Sequence, residues 1–183
     1  MEPDGGEVLI NSERIDGLRP DERVTKGISL VPEGRQLFPS MTVTENLEIG
    51  AFVCDWQNRK QDMERVLELL PALRDRRRLK AGVLSTGEQQ LLAFGRALMQ
   101  RPKLLLADEP TLGLSPAYMA IIFDTILEIN RQGCGILLVE QNATQALEIA
   151  NRGYVLRLGS VFAEGTGKEL LENGALKRAF MGG

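Results

Sequence analysis

The sequence contains no histidine in its 183 residues. That excludes a histidine base, a histidine nucleophile and any histidine-ligated metal. There are two cysteines, Cys54 and Cys134. They lie far apart, match no metal-ligand spacing, and suit free thiols in a reducing compartment. No apolar run approaches the roughly 18 residues of a membrane span, and no secretory signal pattern is expected. The 22 basic and 25 acidic side chains give a net charge of −3 without a long block of either sign, unlike a nucleic-acid-binding surface. The one basic cluster, Arg74, Arg76, Arg77, Arg78 and Lys80, reads as a solvated helix end. Also absent is the phosphate loop G-x-x-x-x-G-K-[ST]. Gly165-Thr166-Gly167-Lys168 supplies half of it, but the residue five before Gly167 is Phe162, and Lys168 is followed by Glu169. Both the spacing and the Mg²⁺-binding hydroxyl fail, so this reads as a turn entering a helix.

What is present suffices for one domain with a core, at 43% hydrophobic residues. Short apolar runs alternate with helical patterns, which points to an α/β fold with a largely parallel sheet. Strands are expected at 7–10, 28–31, 104–107 and 136–139, with a hairpin at 154–163 that turns at Gly159-Ser160. Helices are expected at 19–27, from Val43, across the charged stretch 55–80, at 86–100 and 116–131, from Asn142 to Ala150, and from Thr166. The run at 104–107 is continuous enough to be buried on both faces of the sheet. Residues 41–83 read as a helical subdomain inserted between α/β parts.

Two neighbouring pieces carry the chemistry. Leu84-Ser85-Thr86-Gly87-Glu88-Gln89-Gln90 places Ser85 and Glu88 at the spacing of a capping box, ahead of Leu91, Leu92 and Phe94. A helix start with free N–H groups and a positive dipole end favours a bound phosphate, and Gly87 leaves room for close approach. Leu104-Leu105-Leu106-Ala107-Asp108-Glu109-Pro110 then reads as a strand ending in two carboxylates. These sit where open α/β sheets place their ligands. In phosphoryl transfer the first carboxylate helps to hold Mg²⁺ and the second can activate water.

Together these pieces resemble the signature and Walker B motifs of an ATP-binding cassette (ABC) ATPase. The whole chain resembles the back three-quarters of such a subunit. More narrowly, it is similar to the second ATP-binding subunit of bacterial branched-chain amino acid importers. Val31-Pro32-Glu33-Gly34-Arg35 corresponds to the Q-loop, with Glu33 where most members have Gln. Leu138-Val139-Glu140-Gln141-Asn142 puts Gln141 where the switch histidine usually sits. Gly113-Leu114-Ser115-Pro116 matches the D-loop with Ser115 for the usual Asp, and residues 180–183 resemble that group's ending.

The resemblance implies a P-loop NTPase fold truncated at its N-terminus, with 84–183 carrying the signature helix, Walker B and the C-terminal α/β part. It implies ATP and Mg²⁺ as cofactors. Ser85, Thr86, Gly87 and Glu88 would bind nucleotide, Asp108 and Glu33 would serve the metal, and Glu109, Gln141 and Glu33 would serve hydrolysis. Expected partners are a second ATPase subunit docked head to tail, transmembrane permease subunits and, indirectly, a substrate-binding protein, with no nucleic acid. The expected place is peripheral, on the cytoplasmic face of the bacterial inner membrane. Alternatives are a urea or other amide importer and a non-catalytic module that caps ATP held by another subunit. An ABC protein acting on DNA or ribosomes is disfavoured by the lack of a second cassette, a zinc hook or a basic face. The opening Met1-Glu2-Pro3-Asp4-Gly5-Gly6 corresponds to the segment after the phosphate-loop helix. The expectation is therefore a fragment of a longer product or a degenerate paralogue. Retention of Asp108, Glu109, Ser85 and Gly87 favours the fragment.

Overall fold

A computed structural model describes residues 4–52 and 56–174. Cys54 and the tail at 180–183 lie outside the described residues. The described chain begins with a small hairpin of β1 (Leu9–Ile10) and β2 (Glu13–Arg14), of which only the apolar first strand was readable from sequence. Helix α1 (Pro20–Thr25) follows, with Pro20 in its first turn. It buries no residue, so the expected amphipathic helix is shorter and lies on the surface.

The central sheet is built from β3 (Ile28–Val31), β4 (Leu104–Asp108) and β5 (Gly135–Val139), all parallel, in the order β3-β4-β5. Register is continuous across it: Leu30 pairs with Leu106 and Leu106 with Leu137, and Val31 pairs with Ala107 and Ala107 with Leu138. Between β3 and β4 lie α2 (Val43–Gly50), α3 (Arg59–Leu69) and α4 (Thr86–Leu98), with short 3₁₀ turns at Trp56–Asn58, Pro71–Arg76 and Ala81–Val83. The charged stretch is therefore not one helix. Pro71 lacks the N–H that would continue α3 and opens a 3₁₀ turn instead. Thr42 caps α2 by a reciprocal box with Glu45.

Helix α4 is the centre of the core. Leu91, Leu92, Phe94 and Met99 are fully buried among Leu47, Val66, Leu67, Leu70 and Leu73. Each such side chain contributes about 1.5–3 kcal/mol. The approach of α2 to α4 is close enough that a Cβ on Gly50 would stand 2.1 Å from the Arg96 carbonyl oxygen. After β4, α5 (Pro116–Arg131) returns the chain to β5 and adds Ile122, Ile126 and Ile129 to the same core.

The sheet is not buried on both faces, contrary to the reading of 104–107. Leu105 and Ala107 are at 0% and 1% exposure, but Leu30 and Leu137, in register on the other face, are at 53% and 57%. The reason is topological. The crossovers β3 to β4 and β4 to β5 step the same way along the sheet. Right-handed crossovers then put α4 and α5 on one face. On the other face Leu104 and Leu106 of β4 are half-buried between the exposed Leu30 and Leu137.

Helix α6 (Ala143–Ile149), the antiparallel hairpin β6 (Gly153–Arg157) with β7 (Ser160–Gly165), and α7 (Gly167–Glu172) form a second small cluster around Leu147 and Leu170. The hairpin turns at Leu158 and Gly159, both at positive φ, one residue before the expected position. Thr166 caps α7 with Glu169, so the Gly165-Thr166-Gly167-Lys168 stretch is indeed a helix entry.

Candidate functional site

Because β3, β4 and β5 are parallel and in register, their C-terminal ends share one edge, about 4.8 Å apart from strand to strand. Glu33 follows β3 by two residues, Asp108 ends β4, Glu109 comes next, and Gln141 follows β5 by two. The fold thus brings all four residues to one place. Asp108, Glu33 and Gln141 are exposed and Glu109 is half-buried. Neither Asp108 nor Glu109 spends its carboxylate on a hydrogen bond or ion pair among the described residues, and neither does Glu33.

The backbone that aims Glu109 is unusual. Its φ is +42°, disfavoured for a residue with a Cβ. Two cross-strand links hold it. The Glu109 N–H donates to the Val139 carbonyl at 2.9 Å. Two residues on, the Thr111 N–H and hydroxyl donate to Glu140 Oε1 at 3.0 and 2.7 Å. Thr111 is buried, so these donors have no water to fall back on. Strained backbone of this kind persists where its surroundings over-determine it, and it clusters at active sites.

The second piece is the start of α4. Ser85 is its N-cap: its hydroxyl accepts from the Glu88 N–H at 3.3 Å, and the Glu88 carboxylate accepts from the Ser85 N–H at 2.8 Å. The Gln89 N–H is taken by the Ser85 carbonyl. This leaves the N–H groups of Thr86 and Gly87 as the open donors of the first turn. Arg76 neutralises Glu88 from outside, its Nε donating to Oε1 at 3.1 Å. The hydrogen bond from Ser85, above all, holds the Glu88 carboxyl below its ordinary range.

Gly87 has a role its sequence did not reveal. It is buried, and a Cβ there would lie 2.2 Å from the ring of Tyr118, in the first turn of α5. Its missing side chain makes room for that ring, whose hydroxyl stands 3.5 Å from Ser85 Oγ. No hydrogen bond joins this helix start to Asp108, Glu109 or Gln141 among the described residues.

The sequence pattern of the ABC transporter family matches residues 1–112. Over 178 residues the chain is 46% identical to the high-affinity branched-chain amino acid transport ATP-binding protein BraG of Pseudomonas aeruginosa, covering 97% of this chain and 76% of BraG.

The chain belongs to the ABC transporter family.

It is also 41% identical, over 97% of its length and 75% of the relative's, to a probable branched-chain amino acid transport ATP-binding protein LivF of Archaeoglobus fulgidus. Among solved structures, an ATP-binding cassette of an ABC transporter in its ADP conformation superposes with a TM-score of 0.85 at 28% identity, covering 100% of this chain and 79% of that one. The fold is therefore that of the ABC-type P-loop NTPases, with a mostly parallel sheet. The chain is an ABC ATP-binding subunit.

Within this family frame, the edge carries four carboxylates: Glu33, Asp108, Glu109 and Glu140. A polyphosphate would be repelled there without a cation. Arg35 is the nearby counter-charge, its Nη2 4.0 Å from where a Cβ on Gly113 would stand. No group of three or more acidic or cysteine side chains is arranged to hold a metal among the described residues. Mg²⁺ takes one or two carboxylates and fills its shell with water and substrate phosphates. Asp108 and Glu33 have their oxygens free for that purpose.

Sequence reasoning missed Glu140, Tyr118 and Arg76. Glu140 and Thr111 lie 29 residues apart, and no local spacing rule joins them. A cavity of about 780 Å³, lined by Arg65, Arg101, Lys103 and Cys134 among others, sits at the opposite edge, where β4 and β5 begin. Cys134 is a buried free thiol whose pKa is raised by that burial.

Proposed function

We propose that this chain powers an importer of branched-chain amino acids by ATP hydrolysis. The observation that carries the substrate is the 46% identity to BraG. The site supports the chemistry. Glu109 is the base that takes a proton from the attacking water, with its carboxylate free and its backbone pinned to β5. Gln141 can donate or accept a hydrogen bond but cannot become cationic near neutral pH, so the proton falls to Glu109. Asp108 and Glu33 are the oxygen donors for Mg²⁺, which would offset the charge of the phosphates. The open N–H groups of Thr86 and Gly87, with Ser85, cap the γ-phosphate of ATP held by a second ATPase subunit docked head to tail. Permease subunits receive the motion through the helical segment 41–83 and the Glu33 loop, and a substrate-binding protein delivers the amino acid. The complex works at the cytoplasmic face of the membrane. Among the described residues no helix is long and apolar enough to cross it.

A second reading rests on one observation: these 183 residues contain no phosphate loop. The chain by itself would then cap a partner's ATP without binding its own tightly. Calorimetry of the chain with Mg·ATP is expected to show no micromolar binding.

The test of the main reading is a chimera in which the phosphate-loop segment of BraG precedes this chain, expressed in cells lacking BraG. Restored leucine uptake is expected. A chimera that hydrolyses ATP yet restores no uptake of leucine, isoleucine or valine would overturn the substrate.

A further inference from the structure

Arg96 lies in the last turn of α4 and forms an ion pair with no carboxylate among the described residues. Its guanidinium is half-buried, and desolvation lowers its pKa from the ordinary arginine value. A cation in that setting needs acceptors, and it finds two backbone carbonyls. Nη1 donates to Gln36 O at 2.7 Å and Nη2 to Arg35 O at 3.2 Å. The guanidinium carbon also lies 5.9 Å from the centre of the Phe38 ring.

The segment it grips is the loop after β3, and that loop is strained. Gly34, Arg35 and Gln36 have φ of +72°, +65° and +44° in succession. Only the first is free of a Cβ, so the run is disfavoured and needs an external hold. The loop's own hydrogen bond is a tight one, from the Gln36 N–H to the Gly34 carbonyl. Arg96 supplies the hold from outside. Its own backbone is fixed, because Gly50 of α2 packs directly on the Arg96 carbonyl.

We infer that Arg96 is a positioning residue that ties the Glu33 loop to the helix that begins at Ser85. The inference rests on the proposed function for its consequence: α4 joins the phosphate-capping turn to the Glu33 carboxylate through one rigid element. Eleven residues separate Ser85 from Arg96, a span of roughly 16 Å along the helix. A shift of α4 when its N-terminus engages a partner's phosphate moves the carbonyls of Arg35 and Gln36, and with them Glu33. The motion needs no rearrangement of the sheet.

The test is hydrogen exchange of the 183-residue chain, comparing the wild type with Arg96→Met and Arg96→Lys. Met matches the stem and removes the donors. Lys keeps the charge but replaces the planar fork with a compact ammonium. In Arg96→Met, exchange within residues 33–37 at the hydrogen-bonded Gln36 N–H is expected to rise roughly tenfold to a hundredfold, the loss of hydrogen bonds from a charged group. Exchange across β4 and the melting temperature should stay close to wild type, and Arg96→Lys should recover part of the loop's protection. Unchanged exchange at 33–37 would overturn the inference. So would a uniform rise across the whole chain, which would make Arg96 a residue of general stability. No nucleotide enters this experiment, so it fails or succeeds independently of the importer reading, which the BraG chimera decides.

Discussion

Glu140 and Thr111 are joined by two hydrogen bonds across the ends of β5 and β4, with one carboxylate oxygen accepting from both the Thr111 N–H and its hydroxyl. This fixes the turn that follows Glu109 against the loop that carries Gln141. Removing Glu140 leaves two buried donors without an acceptor.

Glu140→Ala is therefore expected to cost about 1–3 kcal/mol, and Thr111→Val somewhat less, since its N–H remains. The two changes should not add. A double-mutant cycle in urea is expected to give a coupling of about 1 kcal/mol or more. Strict additivity would show that the geometry does not carry energy.

Gly87→Ala should be destabilising because its Cβ meets the Tyr118 ring, and Tyr118→Ala should relieve it. Gly50→Ala meets the Arg96 backbone oxygen instead, which no side-chain substitution can move. Overpacking of this kind costs typically about 1–3 kcal/mol. Thermal melts of the three single variants and the Gly87→Ala/Tyr118→Ala double variant check this. Failure of Tyr118→Ala to rescue would place the clash elsewhere.

Acid should weaken the fold in a defined window. Asp16 is held at about 2 by its hydrogen bond from Arg14. Glu45, Glu88 and Glu169 are lowered by hydrogen bonds from the N-caps Thr42, Ser85 and Thr166. Each binds its proton more weakly folded than unfolded. Their stabilisation is complete above the ordinary carboxyl values, 4.5 for Glu and 3.8 for Asp16. It is lost as pH falls through the lowered ones. Melting temperature should drop steadily from pH 5 downward, and Glu88→Gln should flatten that slope. Parallel curves for the variant and wild type would show that the Glu88 cap does not titrate as described.

The partly exposed sheet face makes a prediction about solubility. Leu30→Ser and Leu137→Thr change exposed side chains, so each should move stability by no more than about 0.5 kcal/mol. Both should reduce self-association seen by light scattering, because they break an apolar patch. A large loss of stability would mean that the face is covered.

Most helices and strands were legible because their periods and caps are local. The Ser85 and Thr42 capping boxes, the run at 104–107 and the Pro116 helix start all sit within a few residues of their causes. The four strand-end residues could be named because the motif order was recognisable. What was not legible depends on contacts between distant segments. The room that Gly87 leaves for the Tyr118 ring was not legible, and Glu140 and Arg96 each hydrogen-bond to a segment far away in sequence. Burial of 104–107 on both faces was misjudged because apolar content does not say which way the crossovers step.

Glu109 is the residue on which hydrolysis depends most directly. In the BraG chimera, Glu109→Gln keeps the size of the side chain and removes its basicity, and steady-state hydrolysis is the measurement. Turnover should fall by roughly 10²–10⁴ while ATP still binds and an ATP-bound dimer accumulates on size exclusion. Near wild-type turnover in that variant would contradict the assignment and shift the search to Glu33.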